Sequence, residues 1–222
     1  MHTLFLPAAP RTQLSAAASS AKHALTLLGP STAMSQLWAQ IRRLAPHVRT
    51  VLLTGASGSG QEAVARLLLD LSPAPRRSFV VLPEAEAEER LGRPSAIHAL
   101  PVETFLFLPE LERLSPAAQQ GLLRLLRTRR SSGFSVIGAA SEDLRALVSM
   151  GQFSPELAEA LGSVRIAVPA LKERLEDLPM LLNQMLSLRC HAAERPIPQL
   201  TEEFLRTAMQ HAWPGNLDEL TE

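Results

Sequence analysis

The chain is 222 residues long, 46% hydrophobic and 20% charged. That is enough length to bury a core, and too apolar a composition for a wholly disordered chain. Its 22 Lys+Arg balance 22 Asp+Glu, so no overall field favours nucleic acid or an anionic membrane. One cysteine, Cys190, excludes an internal disulfide framework and any metal site built on several thiolates. No apolar run approaches the ~20 residues of a membrane span. The opening MHTLFLPAAPR lacks the basic start of a secretory signal, and a cytoplasmic protein is expected.

Residues 1–28 are rich in Ala, Ser and Thr without a steady apolar period, and read as a flexible leader. Ser31 is placed to cap a helix whose apolar positions Met34, Leu37, Trp38, Ile41 and Leu44 recur at helical spacing. Val51-Leu52-Leu53 form a short strand, followed by GASGSG at 55–60 and a helix with Ala63, Val64, Leu67, Leu68 and Leu71 on one face. SFVVL (78–82), TFLFL (104–108), FSVIGA (134–139) and VRIAV (164–168) are four more strands. TFLFL is apolar throughout, as an interior strand of a parallel sheet would be. Ser115-Pro116 opens a helix through Leu122, Leu123, Leu125 and Leu126. Strands alternating with helices imply an α/β layer over residues 29–170, a parallel sheet with helices on both faces. Beyond residue 170 only helical patterns remain, after Pro179, after Thr201 and from Asn216. Residues 171–222 are therefore expected to be a small helical subdomain.

The strand–glycine turn–helix order aims backbone N–H groups and a helix N-terminus at a phosphate. Gly55, Ala56, Ser57, Gly58, Ser59, Gly60, Gln61 and Glu62 are the candidate phosphate-loop residues. The spacing Gly55-x-x-x-x-Gly60 fits, but the position that normally carries lysine is Gln61. Glutamine offers a neutral hydrogen bond and no charge, where a charged donor contributes about 1.5–3 kcal/mol. Lys22 and Lys172 are the only lysines, and Arg66 lies along the helix, pointing away from the loop mouth. On residues alone the turn is either a phosphate cradle or a connection that shapes the fold.

Six segments in order carry a resemblance to the AAA+ ATPase domain of bacterial sigma-54-dependent transcription activators. LLGPSTAMSQLWAQIRRLAP is similar to the family's opening segment. GASGSGQE is similar to its phosphate loop GESGTGKE, and ETFLFLPEL to its Walker B segment GTLFLDEI. SVIGAASEDL resembles the sensor I strand RVIAATNRDL, VPALKERLEDLP the segment LPPLRERxEDIP, and WPGNLDEL the sensor II element WPGNVREL. The resemblance covers roughly Leu28 to Glu222 and implies an AAA+ P-loop NTPase fold with a helical lid.

The departures fall on the family's chemistry. Gln61 stands at the lysine that holds the β- and γ-phosphates, and Pro109 at the aspartate that holds Mg²⁺. Glu110 matches the water-polarising glutamate. Ser141 replaces the sensor I asparagine, and Glu142 the arginine after it. The family's GRFREDLYYRL carries two arginines that reach a neighbouring subunit; GQFSPELAEAL places Ser154 and Ala160 there. Asp218 stands at the sensor II arginine. Glu110 and Ser141 are therefore read as vestigial. No catalytic residue and no metal ligand is assigned, because phosphoryl transfer rests on these cations and the ion.

The family's sigma-54-engaging GAFTGA loop has no counterpart between Phe79 and Phe105, only 26 positions apart. Glu84, Glu86, Glu88 and Glu89 in that interval read as a solvated helix face. Direct sigma-54 contact is thus not expected, and the balanced charge gives no expectation of direct DNA binding. The expected partners are proteins, an intact AAA+ activator or a further copy of the chain. ATP or ADP could still be held through the loop's backbone donors. The histidines stand singly, without metal-ligand spacing, and Arg124, Arg127, Arg129 and Arg130 read as complementing a helix C-terminus.

Overall fold

The computed structural model describes residues 27, 29–74, 77–92, 103–128 and 134–221. Residues 1–26, most of the expected leader, lie outside these, as do Arg129, Arg130 and the centre of the acidic interval. Leu27 is described and buried, and its carbonyl accepts from the Trp38 indole at 2.9 Å. It therefore packs with the body rather than with a leader.

Five parallel strands form one sheet: β1 (Thr50–Thr54), β2 (Ser78–Val81), β3 (Thr104–Leu108), β4 (Ser135–Ala140) and β5 (Arg165–Ala167), in the order β2-β3-β4-β1-β5. The register pairs Leu52 with Gly138, Leu53 with Ile166, and Phe79 with Phe105. Strand alternation divides the core in two. Val51, Leu53, Phe105, Phe107 and Ile137 face α1 (Thr32–Leu44) and α2 (Gln61–Asp70). Leu52, Leu106, Leu108 and Val136 face α3 (Glu84–Gly92), α4 (Pro116–Thr128), α5 (Leu144–Ser149) and α6 (Pro155–Leu161). β3 is buried at every position because both its faces are covered, which is why it reads as an unbroken apolar run. β5 spans three residues of VRIAV, and the flanking Val164 carbonyl and Val168 N–H still bond Leu52 N and the Thr54 carbonyl of β1.

Ser31 caps α1 as expected, accepting from Met34 N at 3.2 Å. Ser115 caps α4, and a second cap comes from an unexpected direction. The Glu88 carboxylate on α3 accepts from both Ser115 N (2.7 Å) and the Ser115 hydroxyl. Glu88 therefore does not belong to a solvated face. The two helices meet so closely that a Cβ on Gly121 would sit 1.9 Å from the Leu91 carbonyl oxygen, which only glycine permits.

Three helices follow the sheet: α7 (Leu178–Ala192), α8 (Glu202–Gln210) and α9 (Asn216–Thr221). They enclose a separate small core of Leu171, Leu178, Leu181, Leu182, Met185, Ala208 and Leu217. This is an α/β fold with a helical lid. No described helix is long and apolar enough to cross a membrane.

Candidate nucleotide cleft

The glycine-rich turn leaves the C-terminal end of β1, beside β4, where the strand order reverses. Open α/β sheets place their ligand crevice at such a switch point. The turn has phosphate-loop geometry. Gly58 (φ 73°) and Gly60 (φ 102°) are left-handed, and Gly60 is the residue before α2. A Cβ on Gly58 would meet the Gly215 carbonyl at 2.4 Å, so glycine is required both by conformation and by the nearness of the lid.

The cleft at the loop mouth holds about 250 Å³, just under the ~300 Å³ lower end for ligand pockets. It brings together Ser57, Gly58, Gly60, Gln61 and Glu62 of the loop with Pro109, Glu110 and Asp218. Gly55, Ala56 and Ser59 do not line it. Ser59 is buried, its carbonyl accepting from Arg174 at 3.4 Å. Ser141 is also outside. Its backbone N–H and hydroxyl both donate to the Glu112 carboxylate.

The charge of the cleft is the reverse of what a triphosphate needs. Three of its lining residues, Glu62, Glu110 and Asp218, are acidic, and none is Lys, Arg or His. Two of the carboxylates have cations behind them. Arg66 holds Glu62 at 2.7 Å while lying over the Phe79 ring, and Arg113 stands 3.4 Å from Glu110. Arg66 does not itself line the cleft; its guanidinium is engaged by Glu62, which does. Gln61 uses its amide N–H groups on the Gly55 and Ala140 carbonyls at 3.1 and 3.2 Å. The residue in the lysine position thus ties the loop to β4 instead of reaching outward.

The lid is fastened to the same loop. Asn216 is not the simple helix cap its position suggests. Its side chain donates to the Ser57 carbonyl (2.8 Å) and accepts from Leu171 N (2.9 Å), while Leu217 N donates to the Gly58 carbonyl (3.0 Å). A second fastening is wholly buried. Asp177 accepts from Ser31 N (2.8 Å) and the Ser31 hydroxyl (2.7 Å), and it attracts Arg174, whose guanidinium reaches Ser59. Burial pushes the Arg174 pKa below its ordinary value, and the Asp177 charge opposes that shift. Sequence reading did not single out these two residues; they lie in the charged run Lys172, Glu173, Arg174, Glu176 and Asp177, and nothing in that run marks which two are buried. Glu110, Trp213 and Asn216 all have positive φ (56°, 48° and 53°), so backbone strain of about 1–3 kcal/mol each gathers around the cleft.

The stretch aligned with the arginine-bearing segment is held by Gln119. This buried side chain donates to the Leu114 and Gln152 carbonyls and accepts from Ser154 N. Ser154 itself caps α6, accepting from Leu157 N at 3.3 Å.

A family model described as the sigma-54 interaction domain matches residues 28–171. The chain belongs to this family. A second, the AAA+ ATPase lid domain, matches residues 172–222. The Nif-specific regulatory protein of Herbaspirillum seropedicae is 32% identical over 87% of this chain and 41% of its own. The C4-dicarboxylate transport transcriptional regulatory protein DctD of Rhizobium meliloti is 30% identical over 92% of this chain and 50% of its own. The crystal structure of NtrX from Brucella abortus in complex with ADP superposes with a TM-score of 0.80 at 26% identity. It covers 95% of this chain and 53% of that one. The same protein in complex with ATP gives 0.77 and 27%. The chain thus spans about half the length of the curated relatives it matches, or less. It is an AAA+ domain of the sigma-54-activator type.

Proposed function

We propose that this domain is a non-hydrolysing member of its family that regulates transcription by associating with other proteins, an intact AAA+ activator or further copies of itself. The observation that carries this reading is the cleft: loop geometry kept, three carboxylates at its mouth and no cation among its lining residues. A carboxylate about 4 Å from a phosphate oxygen costs roughly 4 kcal/mol at the screening usual near a protein surface. The family's Mg²⁺-holding position is also not kept. Pro109 supplies no side-chain oxygen where the family has an aspartate, and no step can be routed through the ion. Without the metal and the arginines, which are worth about 10³–10⁵ in rate for a single arginine finger, the remaining Glu110 has nothing to act with.

Direct contact with sigma-54 is outside the proposal because the interval between β2 and β3 has no GAFTGA sequence. Partner association is tested by mixing the purified domain with an intact activator, then following co-elution and ATP turnover. Co-elution with a changed rate is expected; separate elution with an unchanged rate overturns the reading.

One observation favours a second reading, nucleotide binding without hydrolysis. The fold superposes on a protein solved with ATP and with ADP, and the loop keeps Gly58 and Gly60 in the left-handed region. Calorimetry with ADP and ATP separates the two readings. Saturable heat at millimolar nucleotide supports the second, and its absence supports the first.

A further inference from the structure

The opposite end of the sheet carries the charge that the cleft lacks. A pocket of about 340 Å³ opens where β1, β2 and β4 begin, lined by His47, Arg49, Ser72, Arg77 and Ser135 with no carboxylate among its lining residues. The turn Ala45–His47, which brings the chain from α1 to β1, lines it on one side, and Ser72, Pro73 and Arg77, between α2 and β2, line it on the other. β1 is five residues long, so this pocket lies about 16 Å from the glycine-rich loop at ~3.3 Å per residue.

Arg77 is held in place while keeping donors unused. Its Nη1 donates to the Ser135 hydroxyl at 3.1 Å, and that hydroxyl donates to the Val48 carbonyl at 3.0 Å. Its Nε is buried with no acceptor among the described residues. A buried donor left without a partner is costly, and natural structures rarely keep one without a reason. Ser72 is buried and accepts from Ala74 N at 3.3 Å, which leaves its own proton for another acceptor. Cations near helix C-termini often answer the helix dipole, but the Arg77 side chain bonds a strand hydroxyl instead of a helix carbonyl.

We propose that this pocket is a binding site for a small phosphate-type oxyanion, gripped by Arg77 with His47, Arg49 and the Ser72 hydroxyl. Planar guanidinium forks suit tetrahedral oxyanions, and three basic side chains line the pocket with no carboxylate among its lining residues to compete with a bound anion. The site is independent of the nucleotide cleft and of whether the domain hydrolyses ATP.

The test is calorimetric titration of the purified chain with inorganic phosphate and with glycerol 3-phosphate, at fixed ionic strength set with sodium chloride. Saturable binding is expected. Equal affinities point to free phosphate, whereas a several-fold preference for the ester points to a phosphorylated metabolite. Arg77→Gln is expected to weaken binding by roughly tenfold or more. Arg127→Gln removes the same charge from the remote, exposed Glu156 pair and leaves binding unchanged. Should Arg77→Gln fail to fold, Ser72→Ala and Arg77→Lys keep the question open to test, each predicted to weaken binding partially. The proposal is overturned by no saturable binding to the native chain, by equal losses in Arg77→Gln and Arg127→Gln, or by full displacement of phosphate by ADP at a single shared site.

Discussion

The two ends of one sheet carry opposite chemistry. At the C-terminal ends of the strands the backbone forms a phosphate loop, and acidic side chains occupy its mouth. At the N-terminal ends there is no family motif, yet His47, Arg49 and Arg77 converge on a single pocket. The difference teaches that a fold fixes where backbone donors and crevices lie, while side chains at those places set which ligand is tolerated. Strand pairing and the two apolar layers do not rest on Pro109 or Asp218, and the loop's shape rests on Gly58, Gly60 and the bonds of Gln61 to the Gly55 and Ala140 carbonyls.

Breaking the lid fastening should separate the two ends most strongly. Asp177→Ala leaves Arg174 buried without its counter-charge and releases Ser31. A loss of about 3–5 kcal/mol is expected, measured by urea unfolding. Amide exchange should rise first at Leu217, whose N–H donates to the Gly58 carbonyl, while Val136 and Ile137 at the other end stay protected. Reversing charge at the cleft sharpens the comparison. Asp218→Arg is expected to tighten ADP binding by about 10–100-fold, the worth of one charged hydrogen bond, by calorimetry. Smaller still is Asn216→Ala, which removes the bonds to the Ser57 carbonyl and Leu171 N. About 1–2 kcal/mol of stability should go, with faster exchange at Leu171 and no change at Ser135.

Much of the scaffold was legible because its signals are local. Phe105/Phe107 against Leu106/Leu108 announces a strand covered on both faces, and Ser31, Ser115 and Thr201 announce helix starts that the structure keeps. Helix α5 was not legible; six residues are too few to establish a period. Helix α6 offered the same Ser-Pro start as α4, at Ser154-Pro155, but lay inside a stretch read for its lost arginines. Within the cleft, sequence identified which residues had changed but not where they point. The turn of Gln61 toward two carbonyls, the grip of Glu88 on Ser115 and the reach of Asn216 to the loop are contacts between distant segments that no spacing rule encodes. The basic pocket was invisible for the same reason. His47, Arg49, Arg77 and Ser135 span 88 positions of chain, and only strand register brings them together.

The most direct measurement is phosphate release from Mg·ATP by the purified domain, alongside Glu110→Gln. The account predicts no release above the protein-free blank for either protein. Steady turnover by the native chain that disappears in Glu110→Gln would contradict it.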